Sequence, residues 1–408
     1  MAPQEYRPTS VDELKDVVGS ALAESVPLRV AGAGSKDGFG RPLDLPVLHV
    51  EGLSGIGLYE PEELVMTVAA GTPMTEIEAC LADNHQQLAF EPPDYGALLG
   101  GAAGRATIGG VLACNLSGPR RIKAGAARDH FLGVQLVTGR AELIKAGGRV
   151  VKNVTGYDLC KLLAGSFGTL AVMTEVTVKV LPAAEETLTL VFAGLEVAEA
   201  LGALRAAMAS AYDASGAAYL PADAAGRCSV AAIAGAGTGV AAVRLEGPGP
   251  SMRHRADGLK DLLKLSEAEI GELDTVGSLT FWREVRDVAL LPDAALLWRV
   301  SLPPSNGAEL VAALQERLSL QWLADWAGGL IWLAVDGAGL ADGGAAAIRT
   351  ALAAHGGHAT LIRADAALRA RIEVFQPQAE PLARLSARVK ESFDPQRILN
   401  PGLMYRDI

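Results

Sequence analysis

The sequence predicts an α+β protein of more than one domain. Three observations predict it. The chain has 408 residues, half of them hydrophobic, which allows one to three domains with sizeable cores. Short β-branched runs alternate with stretches of helical period. Gly and Ala are abundant while aromatics are scarce, a composition that suits packed layers of helix and sheet. A shift towards Ala and Gly after Pro182 separates 1–182 from the remainder of the chain.

The elements are taken in chain order. Thr9 or Ser10 suits the N-cap of a helix to about Ala23, with Val11, Leu14, Val18 and Leu22 on one face. Leu28-Arg-Val-Ala reads as a short buried strand. It opens into Gly32-Ala33-Gly34-Ser35-Lys36-Asp37-Gly38-Phe39-Gly40, which has the small residues, hydroxyl and lysine of a phosphate cradle. A Rossmann fingerprint fits it poorly, because the third glycine comes one place late and no clear helix succeeds it. A Walker A loop is absent. Pro46–Val50 reads as the next strand. Glu63–Ala70 leads through a turn into a helix over 76–84, with Thr72 or Thr75 expected as its cap.

Beyond Pro182, Val197–Tyr212, His254–Leu265 and Ala308–Leu318 read as helices. Cys228–Ile233 and Gly239–Leu245 read as strands joined by a Gly-rich hairpin, and Leu296–Ser301 and Gly329–Val335 as further strands. This alternation predicts an antiparallel sheet with helices on one face. Pro381–Ser392 reads as a closing helix that ends at the Pro395 boundary.

Charge and cysteine usage exclude several classes. The net charge of −11 argues against general nucleic-acid binding. Between Gly118 and Lys152, however, eight Lys/Arg face two acids, which marks an anion-facing or partner-facing surface. Cys80, Cys114, Cys160 and Cys228 are scattered, with no CxxC pair and no metal or iron–sulfur spacing, so reduced cytosolic thiols are expected. The polar N-terminus carries no signal-peptide pattern. The uncharged run Cys228–Val243 is too short to span a bilayer. His355 and His358 are the paired histidines, with no carboxylate or cysteine close in sequence, so no metal is expected.

The densest chemistry lies between Gly104 and Pro182. Thr107-Ile108-Gly109-Gly110 precedes Asn115-Leu116-Ser117-Gly118. Ala127-Arg128-Asp129-His130-Phe131-Leu132-Gly133 is next. Then come Thr155-Gly156-Tyr157-Asp158-Leu159, Lys161-Leu162 and Gly165-Ser166-Phe167-Gly168-Thr169-Leu170. Glycine lets backbone amides approach an anion closely. Gly109-Gly110 lead into a helix whose first amides are expected to face one. The Gly165–Gly168 turn feeds a long β-branched strand, a place for the adenine or ribityl part of a dinucleotide. A lone glycine pair is usually an ordinary turn; the ordered set of three motifs is far more specific.

In this order and spacing the motifs resemble the flavin-binding half of the PCMH-type (vanillyl-alcohol oxidase) FAD domain. Within that superfamily the chain resembles the FAD-binding subunits of bacterial glycolate oxidases. The segment Phe393–Met404 matches the superfamily's closing Asp-Pro and Leu-Asn-Pro-Gly pattern. The resemblance implies a PCMH-type FAD-binding domain of two α+β subdomains over 1–182, an α+β cap over 183–358 that holds substrate, and a segment 359–408 that returns to the FAD domain. It implies FAD contacts from Ala31, Gly32, Ala33, Gly34, Ser35, Lys36, Pro92, Thr107, Gly109, Gly110, Asn115, Ser117, Gly118, Arg128, Asp129, Gly165, Gly168, Thr169, Val172 and Asn400. The first loop holds no histidine for covalent attachment, so non-covalent FAD is expected.

The activity so implied is oxidation of glycolate to glyoxylate, with a second FAD subunit and an iron–sulfur subunit as partners. The place implied is the cytoplasm, or the inner membrane's periphery through those partners. A stand-alone FAD-dependent 2-hydroxy-acid or alcohol oxidoreductase, and an assembly subunit that has lost flavin, remain alternatives. Ala31, Ala33, Phe167 and Ala171 depart from the superfamily's usual residues, and the histidine- and acid-rich metal motif of related hydroxy-acid dehydrogenases is missing. The substrate carboxylate needs a cation, for which Arg283, Arg286, Arg299 and Arg363 are the candidates, while the catalytic base stays unassigned.

Overall fold

In the computed structural model, residues 4–149, 156–263 and 268–408 are described. The chain divides into two units. One comprises residues up to Ser117, Gly125–Ala183 and Glu373–Ile408; the other comprises Gly118–Ala124 and Ala184–Ile372.

The first unit holds two main sheets. Strands β1 (Glu5–Tyr6), β2 (Arg29–Ala31) and β3 (Val47–His49) form a parallel sheet in the order β1-β3-β2. The helix Val11–Glu24 crosses from β1 to β2. Ser10 caps it by accepting the Glu13 amide, Leu14, Val18 and Ala21 are buried, and Ser25 ends it in the left-handed region. The second sheet is antiparallel. It contains β4 (Ile56–Glu60), β5 (Val65–Ala69), β7 (Phe131–Thr138), β8 (Leu143–Gly147) and β9 (Ala171–Lys179), in the order β4-β5-β9-β7-β8. A short pair, β6 (Gln86–Gln87) with β10 (Leu181–Pro182), lies apart. The C-terminal segment joins the parallel sheet: the Leu28 amide donates to Ile398, and the Asn400 amide donates to Leu28.

The second unit is one eight-stranded antiparallel sheet of β11 (Glu186–Ala193), β12 (Gly216–Leu220), β13 (Val240–Gly247), β14 (Glu269–Leu273), β15 (Leu296–Ser301), β16 (Leu320–Asp325), β17 (Leu330–Val335) and β18 (His358–Arg363). Its order is β14-β11-β13-β12-β16-β17-β15-β18. That order is two βαββαβ repeats placed end to end. The first uses helices Val197–Ala209 and Gly249–Leu263, and the second uses Gly307–Gln315 and Ala345–Ala353. The repeats meet at Tyr219↔Ala324, where Tyr219 stacks on Trp322. The helix Thr275–Arg286 links them, and its Trp282 indole donates to the buried Thr189 hydroxyl.

Several expectations need correction. The third segment does not begin at 359: β18 pairs along β15, so the sheet unit runs to Ile372. Gly118–Ala124, expected within 1–182, belongs to the sheet unit because its side chains pair there. Arg120 holds Glu246 through Nε and Nη2, Lys123 pairs with Asp213, and the Trp326 indole donates to the Gly118 carbonyl. Cys228–Ile233 is not a strand; it runs into a helical turn, Ala231–Ala234, and β13 pairs instead with β12, whose alanines gave no strand signal. The helix expected over 76–84 is Met74–Ala82, with Pro73 at its cap position. Thr72 instead locks a turn, donating to Ala69 and accepting from the Gly55 amide. The charged helix starts earlier, at Gly249, and the end expected at Leu265 lies outside the described residues, as do Lys152 and Thr155.

Candidate cofactor site

The site in the first unit begins where β2 ends. Among the described residues, the five successive amides of Gly32, Ala33, Gly34, Ser35 and Lys36 meet no protein acceptor. A row of open amides on a turn is an anion-binding nest. Lys36 adds a cation: its Nζ lies 3.2 Å from the Ser35 hydroxyl, beside Gly110. Burial pushes the Lys36 pKa down, and Cys114 and Asp94 oppose that only in part. An ammonium desolvated without a paired carboxylate is costly unless an anion joins it. The loop is clamped from both sides. A methyl group on Gly32 would collide with the Thr107 hydroxyl, and the His49 Nδ1 lies 3.4 Å from the Gly32 carbonyl. These features fit the pyrophosphate of FAD.

The later glycines do other work. The Ile108 and Gly109 amides donate to the Thr72 and Ala70 carbonyls, and the Gly110 amide points at the Thr107 hydroxyl at 3.4 Å. The helix Ile108–Ala113 therefore does not offer its first amides to an anion, contrary to the expectation from sequence. A Cβ on Gly109 would stand 2.8 Å from the Ala70 carbonyl, so close packing on the end of β5 requires glycine there. The second turn is likewise committed: the Gly165, Phe167 and Thr169 amides donate to Leu112, Ala113 and Ser166. Phe167 adopts φ 55, a strained value for a bulky residue. Its ring packs 5.0 Å from Phe39 and 4.9 Å from Phe375, so an aromatic cluster holds the cradle and the turn together.

Two side-chain networks fix the surroundings. The Asn115 carboxamide accepts the Arg128 amide, and the Ser117 hydroxyl accepts the Ala127 amide. The Asp129 carboxylate accepts the Ala126 amide, closing the loop 126–129 on itself. Asn400 is almost wholly buried; its Oδ1 accepts the Val30 amide at 2.7 Å and its Nδ2 donates to Phe167 at 2.8 Å. It therefore stitches β2 to the Phe167–Gly168 turn. Lys390, fully buried, donates to the Thr169 and Leu399 carbonyls and to Asp394 at 2.5, 2.7 and 2.7 Å.

The residues expected to touch FAD thus fall into groups. Gly32–Lys36, Thr107 and Gly110 come together at the nest, and Ala31 ends β2 directly before it. Gly165, Gly168, Thr169 and Asn400 frame the neighbouring turn, and Asn115, Ser117, Arg128 and Asp129 form the braced loops. Pro92 is buried two residues before Asp94. Val172 is buried inside β9, opposite Val137. Gly118 lies in the sheet unit.

In the sheet unit, the structure separates the four candidate arginines. Arg286 pairs with Asp287 at 2.7 Å and Arg363 with Asp293 at 2.7 Å. Arg283 is exposed on its helix. Arg299 stands 5.1 Å from the centroid of the Trp326 ring, which Arg121 also approaches, at 4.4 Å. Trp326 gave no signal in the sequence because its role depends on a turn after β16 that brings two distant arginines to one ring. Among the described residues, no group of three His, Cys, Asp or Glu side chains could hold a metal ion.

Comparison with known proteins gives the family and the fold. Residues 3–147 match the family of FAD binding domains. The glycolate oxidase subunit GlcE of Escherichia coli (strain K12) is 33% identical over 402 residues, 97% of this chain and 97% of that one. The chain belongs to the GlcE family. The glycolate oxidase subunit GlcD of Bacillus subtilis (strain 168) is 32% identical over 45% of this chain and 38% of its own length. The GlcE-family fold is also that of p-cresol methylhydroxylase, whose solved structure superposes with a TM-score of 0.72 at 14% identity, covering 99% of this chain and 88% of that one. The chain is thus an FAD-linked oxidoreductase of PCMH-type fold. Among the described residues, no helix is long and apolar enough to cross a membrane.

Proposed function

We propose that this chain is the FAD-binding subunit of a glycolate oxidase complex, oxidising glycolate to glyoxylate and passing electrons to a partner iron–sulfur subunit. A GlcD-like second flavoprotein subunit would complete the assembly. The observation that carries the reading is the nest of five open amides at Gly32–Lys36 with the Lys36 ammonium beside it. FAD held there non-covalently would supply a two-electron acceptor for the hydride of the substrate's α-carbon.

The chain's own residues do the rest. The Gly32–Lys36 amides and Lys36 bind the pyrophosphate charge. Thr107 and the His49 ring hold the loop in the shape that binding needs. Asn400 and Lys390 fix the Phe167–Thr169 turn against β2, so the nest is built before the cofactor arrives. The near neighbour of Lys36, Cys114, has a thiol that burial pushes up to about 11 although Lys36 pulls the other way, so it stays neutral and adds no charge to repel phosphate.

The reading is tested by adding glycolate anaerobically to the flavin-loaded chain, alone and together with a GlcD-type subunit. Bleaching of the long-wavelength flavin band is expected, in the isolated chain if it performs the oxidation itself. No bleaching in either sample would contradict the reading.

A further inference from the structure

The anion cradle carries a carboxylate of its own. Asp37 follows Lys36 directly, and its amide donates to the Gly34 carbonyl at 3.1 Å, closing the turn Gly34–Asp37. The side chain folds back towards that turn. Its Oδ2 stands 3.3 Å, and its Oδ1 3.7 Å, from the point a Gly34 Cβ would occupy. A short aspartate side chain readily accepts amides of its own turn. The amides of Gly32–Lys36 are open, so Asp37 is their nearest competitor for an incoming anion. The same negative charge would also repel a pyrophosphate seated on the loop.

A cation on the strand that feeds the loop restrains it. Arg29 Nη1 lies 2.8 Å from Asp37 Oδ1. Arg29 opens β2, its amide donating to the Pro46 carbonyl, and it stands opposite Val47 of β3. The pull on Asp37 therefore comes from the sheet and not from the loop. Glu5, the other carboxylate close to Arg29, pairs with Arg7 at 2.9 Å. Lys36 does not take the place of Arg29: its Nζ lies beside Ser35 and Gly110, and its charged neighbours are Asp94 and Cys114. Arg29 is 23% exposed and Asp37 48%, so water weakens the pair and the effect of losing it is modest.

We infer that Arg29 is a positioning residue for the cofactor: it holds the Asp37 carboxylate off the Gly32–Lys36 amides and neutralises it, which leaves the nest open to a pyrophosphate. The inference rests on the nest being the FAD site and adds the pair that keeps that nest from closing on itself.

FAD titration into the full-length chain freed of flavin tests it, with thermal unfolding read on the same samples. Arg29→Met is expected to weaken FAD by roughly 5- to 10-fold, the loss of one partly exposed counter-charge. Asp37→Asn should bind FAD at wild-type strength or a few-fold tighter. The decisive sample is the double variant Arg29→Met/Asp37→Asn, which should return to within about two-fold of wild type, because the carboxylate that Arg29 restrains is gone. A residue that merely holds β2 in place, or that grips the phosphate itself, allows no such rescue. The inference is overturned if the double variant binds as weakly as Arg29→Met, if folded Arg29→Met binds like wild type, or if Asp37→Asn weakens FAD more than a few-fold. If Arg29→Met does not fold, Asp37→Asn and the double variant carry the test. A wild-type chain that takes up no FAD would sink the cofactor reading and this inference with it, whereas wild-type uptake without rescue sinks the inference alone.

Discussion

Glu246→Gln removes the carboxylate that ties the segment Gly118–Ala124 to the eight-stranded sheet. Glu246 is 13% exposed, with Arg120 Nε and Nη2 at 3.0 and 2.6 Å and Arg244 Nε at 3.9 Å. Burial by itself would raise its pKa. The charge of Arg244, the hydrogen bonds and charge of Arg120, and a hydrogen bond with Ser215 outweigh burial and hold it at about 2, against 4.5 for an unperturbed carboxyl. A displacement of that size corresponds to about 3 kcal/mol of stability at neutral pH. Glutamine keeps the shape but takes the carboxylate charge away from the buried Arg244 and the half-buried Arg120, a loss of the same order.

The pH dependence has a definite sign. The folded pKa lies below the unfolded one, so the contribution is complete above about pH 4.5 and is lost as pH falls towards 2. Thermal unfolding of wild type and Glu246→Gln should differ by roughly 6–12 °C at pH 7, for a unit of this size. The gap should hold at pH 5.5 and narrow at pH 3.5. A gap below about 1 kcal/mol at pH 7, or one as wide at pH 3.5 as at pH 7, would refute the argument.

The cofactor site leads to further outcomes. Lys36→Met should weaken FAD by roughly 10- to 100-fold in a flavin titration, while the flavin-free chain unfolds at no lower temperature, since a desolvated ammonium has been removed. Gly32→Ala should abolish flavin uptake, because its methyl group would collide with the Thr107 hydroxyl; uptake equal to wild type would show that the loop is not clamped as described. Asn400→Ala should destabilise the first unit by about 2–3 kcal/mol in urea unfolding, because the half-buried Val30 amide and Phe167 carbonyl lose their buried partner. Burial pushes Cys160 and Cys228 up to about 12, so both should resist alkylation at pH 8 until the chain is unfolded.

Legibility in the sequence tracks physical range. The first loop was legible because a nest needs small residues in a row, and Gly32–Lys36 has them. The Ser10 cap was legible because capping is settled within four residues. The role of the helix Ile108–Ala113 was not legible: whether its first amides meet an anion depends on Ala70 and Thr72, which lie more than thirty residues upstream. The repeat in the sheet unit was hidden because strands such as Gly216–Leu220 are alanine-rich and fully buried, so they lack the alternation that marks a half-exposed strand. The transfer of Gly118–Ala124 to the sheet unit rests on Arg120 meeting Glu246, a pairing 126 residues apart that no local pattern announces.

The central claim is that this chain holds FAD without a covalent bond, on the nest at Gly32–Lys36. An absorption spectrum of the chain purified alone, repeated on the supernatant after acid precipitation, tests it most directly. Flavin bands that appear in the first spectrum and move wholly to the supernatant are the predicted result. A colourless chain that takes up no added FAD, or flavin that stays with the precipitate, would contradict it.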